Sequence, residues 1–208
     1  MRHVKICGMR EAENIRAVAA LGPDLLGFIF SEKSARFVRG TLDAQTLREL
    51  PPTVGRVGVF VDAGLTEIVA TAAEFGLHYV QLHGHETPEL CQQVCAQNLR
   101  IIKAFAVDTN FNFDTLRAYE SSCDYFLFDT KGELPGGNGR AFDWSVLSRY
   151  DGPVPFWLSG GLGPENLAAA LRFEHPRLHG FDFNSKLETA PGVKDVAAVE
   201  RLLSELNT

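Results

Sequence analysis

The chain has 208 residues, with 20 Lys and Arg against 26 Asp and Glu for a formal net charge of -6, and 45% of it is hydrophobic, with 19 Gly and 10 Pro. That is the profile of one globular domain over residues 1–208, long enough to bury a core without disulfides or metals. An acidic balance with no Lys/Arg run longer than two argues against nucleic acid as a partner, and apolar stretches such as Val57 to Val61 fall far short of the roughly 20 residues of a membrane span.

Short β-branched or aromatic runs alternate with stretches of helical periodicity along the whole chain. The pattern predicts strands at Val4 to Cys7, Leu25 to Phe30, Val54 to Val61, Tyr79 to Leu82, Arg100 to Ala106, Tyr125 to Asp129, Phe156 to Ser159 and Gly180 to Asn184. The clearest helices between them are Glu11 to Leu21, Asp43 to Leu50, Leu65 to Phe75, Pro88 to Gln97 and Pro164 to Leu171, and a closing helix is expected from Lys194 to about Leu206. Eight strand-then-helix units average about 26 residues each, enough for a strand, a helix and two tight loops. The expected class is α/β, a single-domain (β/α)8 TIM barrel. A doubly wound open sheet shares the alternation, but anion-site signals near the C-terminus favour the barrel.

Residues 1 to 10 have no apolar stretch of signal-peptide length and no small-residue cleavage site, so a cytoplasmic location is expected. Cys7, Cys91, Cys95 and Cys123 are then expected as reduced thiols rather than a disulfide framework.

In a barrel of this kind the chemistry belongs to the C-terminal ends of the strands. Strand one ends Lys5-Ile6-Cys7-Gly8, and alternation puts Lys5 and Cys7 on one face and the apolar Val4 and Ile6 on the other, toward the helices. Cys7 then points into the barrel mouth, and a buried Lys5 requires a carboxylate such as Asp182 or Asp129. Alone, Cys7 also fits a small buried hydrophobe. Strand six is apolar until Asp129, which fits either a catalytic acid or a capping or salt-bridging carboxylate paired with Lys131 or Lys5. On separate strands of one barrel, the thiol and the carboxyl come to one rim.

Arg36, in the loop after strand two, has the two-pronged guanidinium that grips a planar carboxylate, though an exposed loop charge has the same signature. His83 ends strand four and His85 follows. They lack a Cys, His or carboxylate set at metal-ligand spacing, so His83 is read as a substrate-lining residue and no metal is expected. Cys91 and Cys95 are read as packing residues of helix four. Gly160-Gly161 after strand seven, and Asp182, Asn184 and Ser185 at the end of strand eight, occupy the two loops that hold a phosphate in many barrels, and consecutive glycines expose backbone N–H groups for that purpose. The Gly-rich stretch Gly132 to Gly139 lacks both a P-loop ending and the strand-turn-helix geometry of a dinucleotide site, and is expected to form a lid over Asp129.

Taken together, KICG at 5 to 8, GFIF at 27 to 30, VGVF at 57 to 60, QLHG at 81 to 84, FDT at 128 to 130, GGNGRAFDW at 136 to 144, LSGGLGPEN at 158 to 166 and PGVKD at 191 to 195 resemble the phosphoribosylanthranilate isomerase family. The resemblance runs in order along nearly the whole chain. It implies a cytosolic barrel enzyme of tryptophan biosynthesis that performs an Amadori rearrangement on N-(5-phosphoribosyl)anthranilate, without metal or redox cofactor. It assigns Cys7 as general base at C2' of the sugar, Asp129 as general acid at the ring oxygen, Arg36 as the contact to the anthranilate carboxylate, and Gly160, Gly161, Asn184 and Ser185 as phosphate contacts with Asp182 nearby. Asn184-Ser185-Lys186-Leu187-Glu188 departs from the commoner Ser-Ser-Gly-Val-Glu, and Asn138 from Thr. Rival readings are the histidine-pathway isomerase, whose strand-one residue is a carboxylate, and a silent barrel that only binds a phosphorylated ligand. The expected partner is a small phosphorylated molecule, and the expected assembly a monomer or homodimer.

At ordinary acid strengths about 3% of a Cys is thiolate at pH 7 and about 0.1% of an Asp is protonated. Such groups need help from their surroundings to act as base and acid.

Overall fold

The computed structural model of the chain describes residues 2–130 and 144–206. Eight short apolar segments, unable to leave either face in water, pair side by side in parallel: β1 (His3–Ile6), β2 (Leu25–Ile29), β3 (Gly55–Phe60), β4 (Tyr79–Leu82), β5 (Arg100–Val107), β6 (Tyr125–Thr130), β7 (Phe156–Ser159) and β8 (Leu178–Phe183). β8 pairs in turn with β1 and closes the barrel, so Lys5 lies between Leu25 on one side and Asp182 on the other. The expected (β/α)8 architecture is the observed one, and the open sheet is set aside.

Strand alternation divides the core in two. Leu25, Val57, Ile102, Ala104, Leu127 and Trp157 fill the barrel interior. Val4, Ile6, Phe28, Phe60 and Val80 face outward and pack with helix residues such as Ile15, Val18, Ile68 and Cys91. Each fully buried aliphatic side chain contributes about 1.5–3 kcal/mol, and both clusters together tie the strands to the surrounding layer.

That layer contains α1 (Ala12–Ala20), α2 (Ala44–Arg48), α3 (Leu65–Phe75), α4 (Pro88–Cys95), α5 (Leu167–Arg172) and α6 (Val196–Leu206). Side-chain caps set several starts. The Asp43 carboxylate accepts from the Gln45 amide at 2.9 Å, and Thr87 caps α4 ahead of Pro88. Two connections depart from the simple alternation, because 3-10 helices at Phe113–Tyr119 and Trp144–Arg149 stand after β5 and before β7. Among the described residues no helix is long and apolar enough to cross a membrane.

Two expected helix starts move. The helix placed at Pro164 begins at Leu167, because the Asn166 carboxamide accepts from the Gly163 amide and donates to the Gly161 carbonyl, both at 2.9 Å, and turns the chain through Pro164 first. The helix expected from Lys194 begins at Val196. Lys194 instead belongs to β10 (Val193–Lys194), which pairs antiparallel with β9 (Glu188–Ala190), and its amide donates to the Asn14 side chain at 2.8 Å. Asp195 then caps α6 by accepting from the Ala198 amide at 3.0 Å.

At the closure seam, a Cβ on Gly180 would run into the His3 carbonyl, its carbon 2.7 Å away, and lie 2.9 Å from the Trp157 ring. Backbone on one side and a fully buried indole on the other leave little to move. Gly180→Ala is therefore expected to lower stability by about 1–3 kcal/mol, read as a fall in the urea midpoint at unchanged slope.

Candidate active site

The C-terminal rim of the barrel surrounds a cavity of about 490 Å³. Cys7, His83, Asp129, Gly160, Gly161, Asp182, Asn184 and Ser185 all line it. Strand ends from opposite sides of the barrel thus converge on one space, as the sequence pattern requires.

Cys7 stands one residue beyond β1, with its amide donating to the Phe183 carbonyl at 2.8 Å. It is 4% exposed, and the absence of a side chain at Gly27 makes its room, since a Cβ there would lie 2.7 Å from Sγ. Burial pushes the Cys7 thiol up from its ordinary value, the Lys5 ammonium opposes that shift, Asp182 adds to it and Lys194 opposes it. Burial prevails in the ligand-free protein, so the thiol is held protonated.

Lys5 is fully buried, and its Nζ donates to Asp182 Oδ1 at 2.8 Å. Of the two carboxylates the sequence offered, it is Asp182 that takes the ammonium. The Ser159 hydroxyl donates to the other Asp182 oxygen at 3.3 Å. Asp129, with a third of its side chain exposed, faces His83 instead, Oδ2 standing 3.4 Å from Nε2. The Gln81 side-chain amide nitrogen stands 2.7 Å from His83 Nδ1, a contact that orients the ring with Nε2 toward the acid. His85 is turned away to Asp62 at 3.5 Å and is almost fully exposed. Among the described residues no group of three or more His, Cys, Asp or Glu is arranged to hold a metal ion.

Arg36 sits beside the cavity rather than in its lining. Its Nε and Nη2 donate to the two oxygens of Glu188, at 2.8 and 2.5 Å, a bidentate pair that fixes the plane of the guanidinium. Glu188 also accepts from Lys194 Nζ at 2.6 Å and from the Gly192 amide at 3.1 Å. Burial pushes the Glu188 carboxyl up, but the hydrogen bonds from Arg36 and Lys194 outweigh it and hold the group down at about 2. The arginine stem passes so close to Gly8 that a Cβ there would lie 2.6 Å from Arg36 Cδ.

After β7 the backbone takes φ of 97° at Gly160 and 66° at Gly161, left-handed values that glycine adopts without strain. Across from them Asn184 and Ser185 open a one-turn 3-10 helix, and the Asn184 Oδ1 accepts from Lys194 Nζ at 2.9 Å. That bond ties the Asn184 side-chain oxygen to the protein, while Asn184 and Ser185 both line the cavity.

Four participants escaped the sequence reading. Glu188, Lys194 and Gln81 each hold a predicted residue in place, and Lys33 lines the cavity from the loop after β2. A half-buried arginine calls for a carboxylate, but nothing along the chain says that it comes from 152 residues away. Cys91 packs in the core as expected, whereas Cys95, read as its packing companion, is exposed on α4. The lid expected over residues 132–139, together with Asn138 and the alternative partner Lys131, lies outside the described residues.

A family model for N-(5'-phosphoribosyl)anthranilate (PRA) isomerase matches residues 4–205. The N-(5'-phosphoribosyl)anthranilate isomerase of Phocaeicola vulgatus is 46% identical over 203 residues, covering 98% of this chain and 97% of the relative. Among solved structures, the phosphoribosyl anthranilate isomerase of Thermotoga maritima superposes with a TM-score of 0.89 at 36% identity, over 100% of this chain and 99% of that one. A second phosphoribosyl anthranilate isomerase, in complex with reduced 1-(o-carboxyphenylamino)-1-deoxyribulose 5-phosphate, superposes with a TM-score of 0.86 at 34% identity over the same shares. With its barrel and nearly its whole length matched, the chain belongs to the N-(5'-phosphoribosyl)anthranilate isomerase family.

Proposed function

We propose that this protein is a cytoplasmic enzyme of tryptophan biosynthesis that isomerises N-(5'-phosphoribosyl)anthranilate to 1-(2-carboxyphenylamino)-1-deoxyribulose 5-phosphate, with Cys7 as base and Asp129 as acid. The carrying observation is that the thiol and the carboxyl line one cavity, with the glycine loop of β7 at the same rim and Arg36 beside it. Asp129 delivers a proton to the ring oxygen as the furanose C1'–O bond breaks, and the anilino nitrogen's electron pair forms the C=N bond. The Cys7 thiolate then takes the C2' proton, and the C–H pair becomes the C=C bond of an enolamine as nitrogen recovers its own. Tautomerisation of the enolamine gives the ketone. Only protons and electron pairs within the substrate move, so the proposal invokes no metal or redox cofactor.

Geometry also supports the anchoring roles. Phosphate at the Gly160-Gly161 and Ser185 end and carboxylate at Arg36 tether both ends of the substrate, which holds the ribose between thiol and carboxyl and turns binding into orientation. Two of the five N–H groups of Arg36 are spent on Glu188, and the rest of the fork stays available for a planar carboxylate. His83, whose Nε2 stands 3.4 Å from Asp129 Oδ2, keeps the acid oriented. The domain is taken as single and the assembly as a monomer or homodimer, which light scattering resolves.

Cys7→Ala and Asp129→Asn are each expected to lower kcat by about a hundredfold or more while leaving circular dichroism and melting unchanged, since one positioned acid or base contributes about 10²–10⁴-fold. Turnover is followed by the loss of anthranilate fluorescence, and a near-normal rate in either variant overturns its assignment. Arg36→Met is expected chiefly to raise KM, by about tenfold or more for a lost charge-assisted bidentate contact. An unchanged KM removes Arg36 from the carboxylate site.

A further inference from the structure

Cys7 is a base in an environment that favours its protonated form, so something must stabilise the thiolate. Among the described residues the charged groups that face it are Lys5 from its own strand, Asp182 from β8, Lys194 from β10 and Arg36 from the loop after β2. Their hydrogen-bond commitments separate them. Lys194 Nζ has three acceptors for its three N–H groups, namely Glu188 Oε1, Asn184 Oδ1 and the Asn184 carbonyl at 2.6, 2.9 and 3.3 Å. Arg36 is bound bidentately to Glu188, and the rest of its fork is the part assigned above to the substrate carboxylate. Lys5 is different: its ammonium, fully buried on the same inward strand face as Cys7, meets one carboxylate oxygen of Asp182 at 2.8 Å, and its charge acts on the thiol from there.

We propose that Lys5 is a positioning residue that stabilises the thiolate of Cys7, its ammonium held on the same inward strand face by Asp182 on the neighbouring strand. The arrangement follows from the fold. Residues 5 and 7 share the inward face of one strand, and the closure register sets Asp182 directly opposite Lys5. Burial pulls the lysine toward neutrality, but Asp182 and Cys7 more than offset it, and the ammonium stays charged. Water is excluded from the pair, so its field on the sulfur is stronger than a surface lysine would exert. Asp182 itself opposes the thiolate, and its contribution is the orientation of the cation. The catalytic consequence rests on the reading of Cys7 as base; the effect on the thiol does not.

The test titrates the thiolate absorbance of Cys7 in the ultraviolet, as the difference between each ligand-free protein and its Cys7→Ser counterpart, so that Cys91, Cys95 and Cys123 cancel. Lys5→Met is expected to move the midpoint upward by about one pH unit or more, about tenfold less thiolate at a given pH. Lys5→Met/Asp182→Asn, which leaves no orphaned buried carboxylate, is expected to shift it in the same direction and keeps the test available if the single variant does not fold. Lys5→Arg retains the positive charge and is expected to keep the midpoint near that of the parent. The acidic limb of the kcat/KM profile should move by the same amount as the thiol midpoint. A folded Met variant whose midpoint stays with the parent's overturns the proposal, as does an Arg variant that shifts as far as Met. Because the titration needs no turnover, full activity in Cys7→Ala would sink the base assignment and leave the Lys5 effect standing.

Discussion

The structure depends on a cation held inside a barrel. Taking an ammonium and a carboxylate out of water costs several kcal/mol for each ion, and their attraction offsets that only in good geometry. Lys5 and Asp182 meet this condition because β1 and β8 close the barrel in the register that puts them side by side. Breaking such a pair by deleting one partner costs about 3–5 kcal/mol, so the closure register and the charge pair enforce one another. An aliphatic pair at these positions would close the barrel as well. What it would not supply is a positive charge beneath the thiol.

A second buried network does for Arg36 what the first does for Cys7. Glu188 and Lys194 sit on the small β9–β10 hairpin, outside the eight-stranded pattern, and from there reach Arg36 and Asn184. The hairpin lies where the closing helix was expected to start. Its effect is to keep an arginine rigid beside the cavity, and rigidity is the property that lets a guanidinium discriminate a planar carboxylate from a spherical charge. Both networks thus convert chain closure at the C-terminal end of the sequence into fixed geometry around residues near the N-terminus.

Strand positions were legible because a strand buried on both faces reads as a short apolar run bounded by turn residues, and all eight were placed within two residues of their observed ends. Helix starts were less so. Pro164 carries the usual signal of a first helical turn, yet the Asn166 side chain makes a competing turn that delays α5 by three residues, a contest that composition does not decide. The 3-10 helix Phe113–Tyr119 has aromatic and polar residues at spacings that match no long periodic face. In the site, groups at strand ends were readable because barrel topology alone sends them to one rim. Their supporting partners were not. Glu188 and Gln81 act through contacts set by tertiary packing, and each has an ordinary surface signature in isolation.

The same reasoning bears on the departures from the commoner family pattern at this end of the barrel. Asn184 stands where Ser is frequent, but its Oδ1 is bound to Lys194, and in the proposed site the phosphate is met by backbone donors at Gly160 and Gly161 and by Ser185. A backbone donor survives any substitution that keeps the chain path. By contrast, in the proposed mechanism the thiol, the buried lysine and the strand-six carboxyl act through the charge or proton on one particular atom, and no neighbouring backbone group replaces that. Tolerance to sequence change at this rim should therefore follow whether the side chain or the main chain meets the substrate, not distance from the cavity. On the proposed assignments, the phosphate loops belong to the second kind and the acid and base to the first.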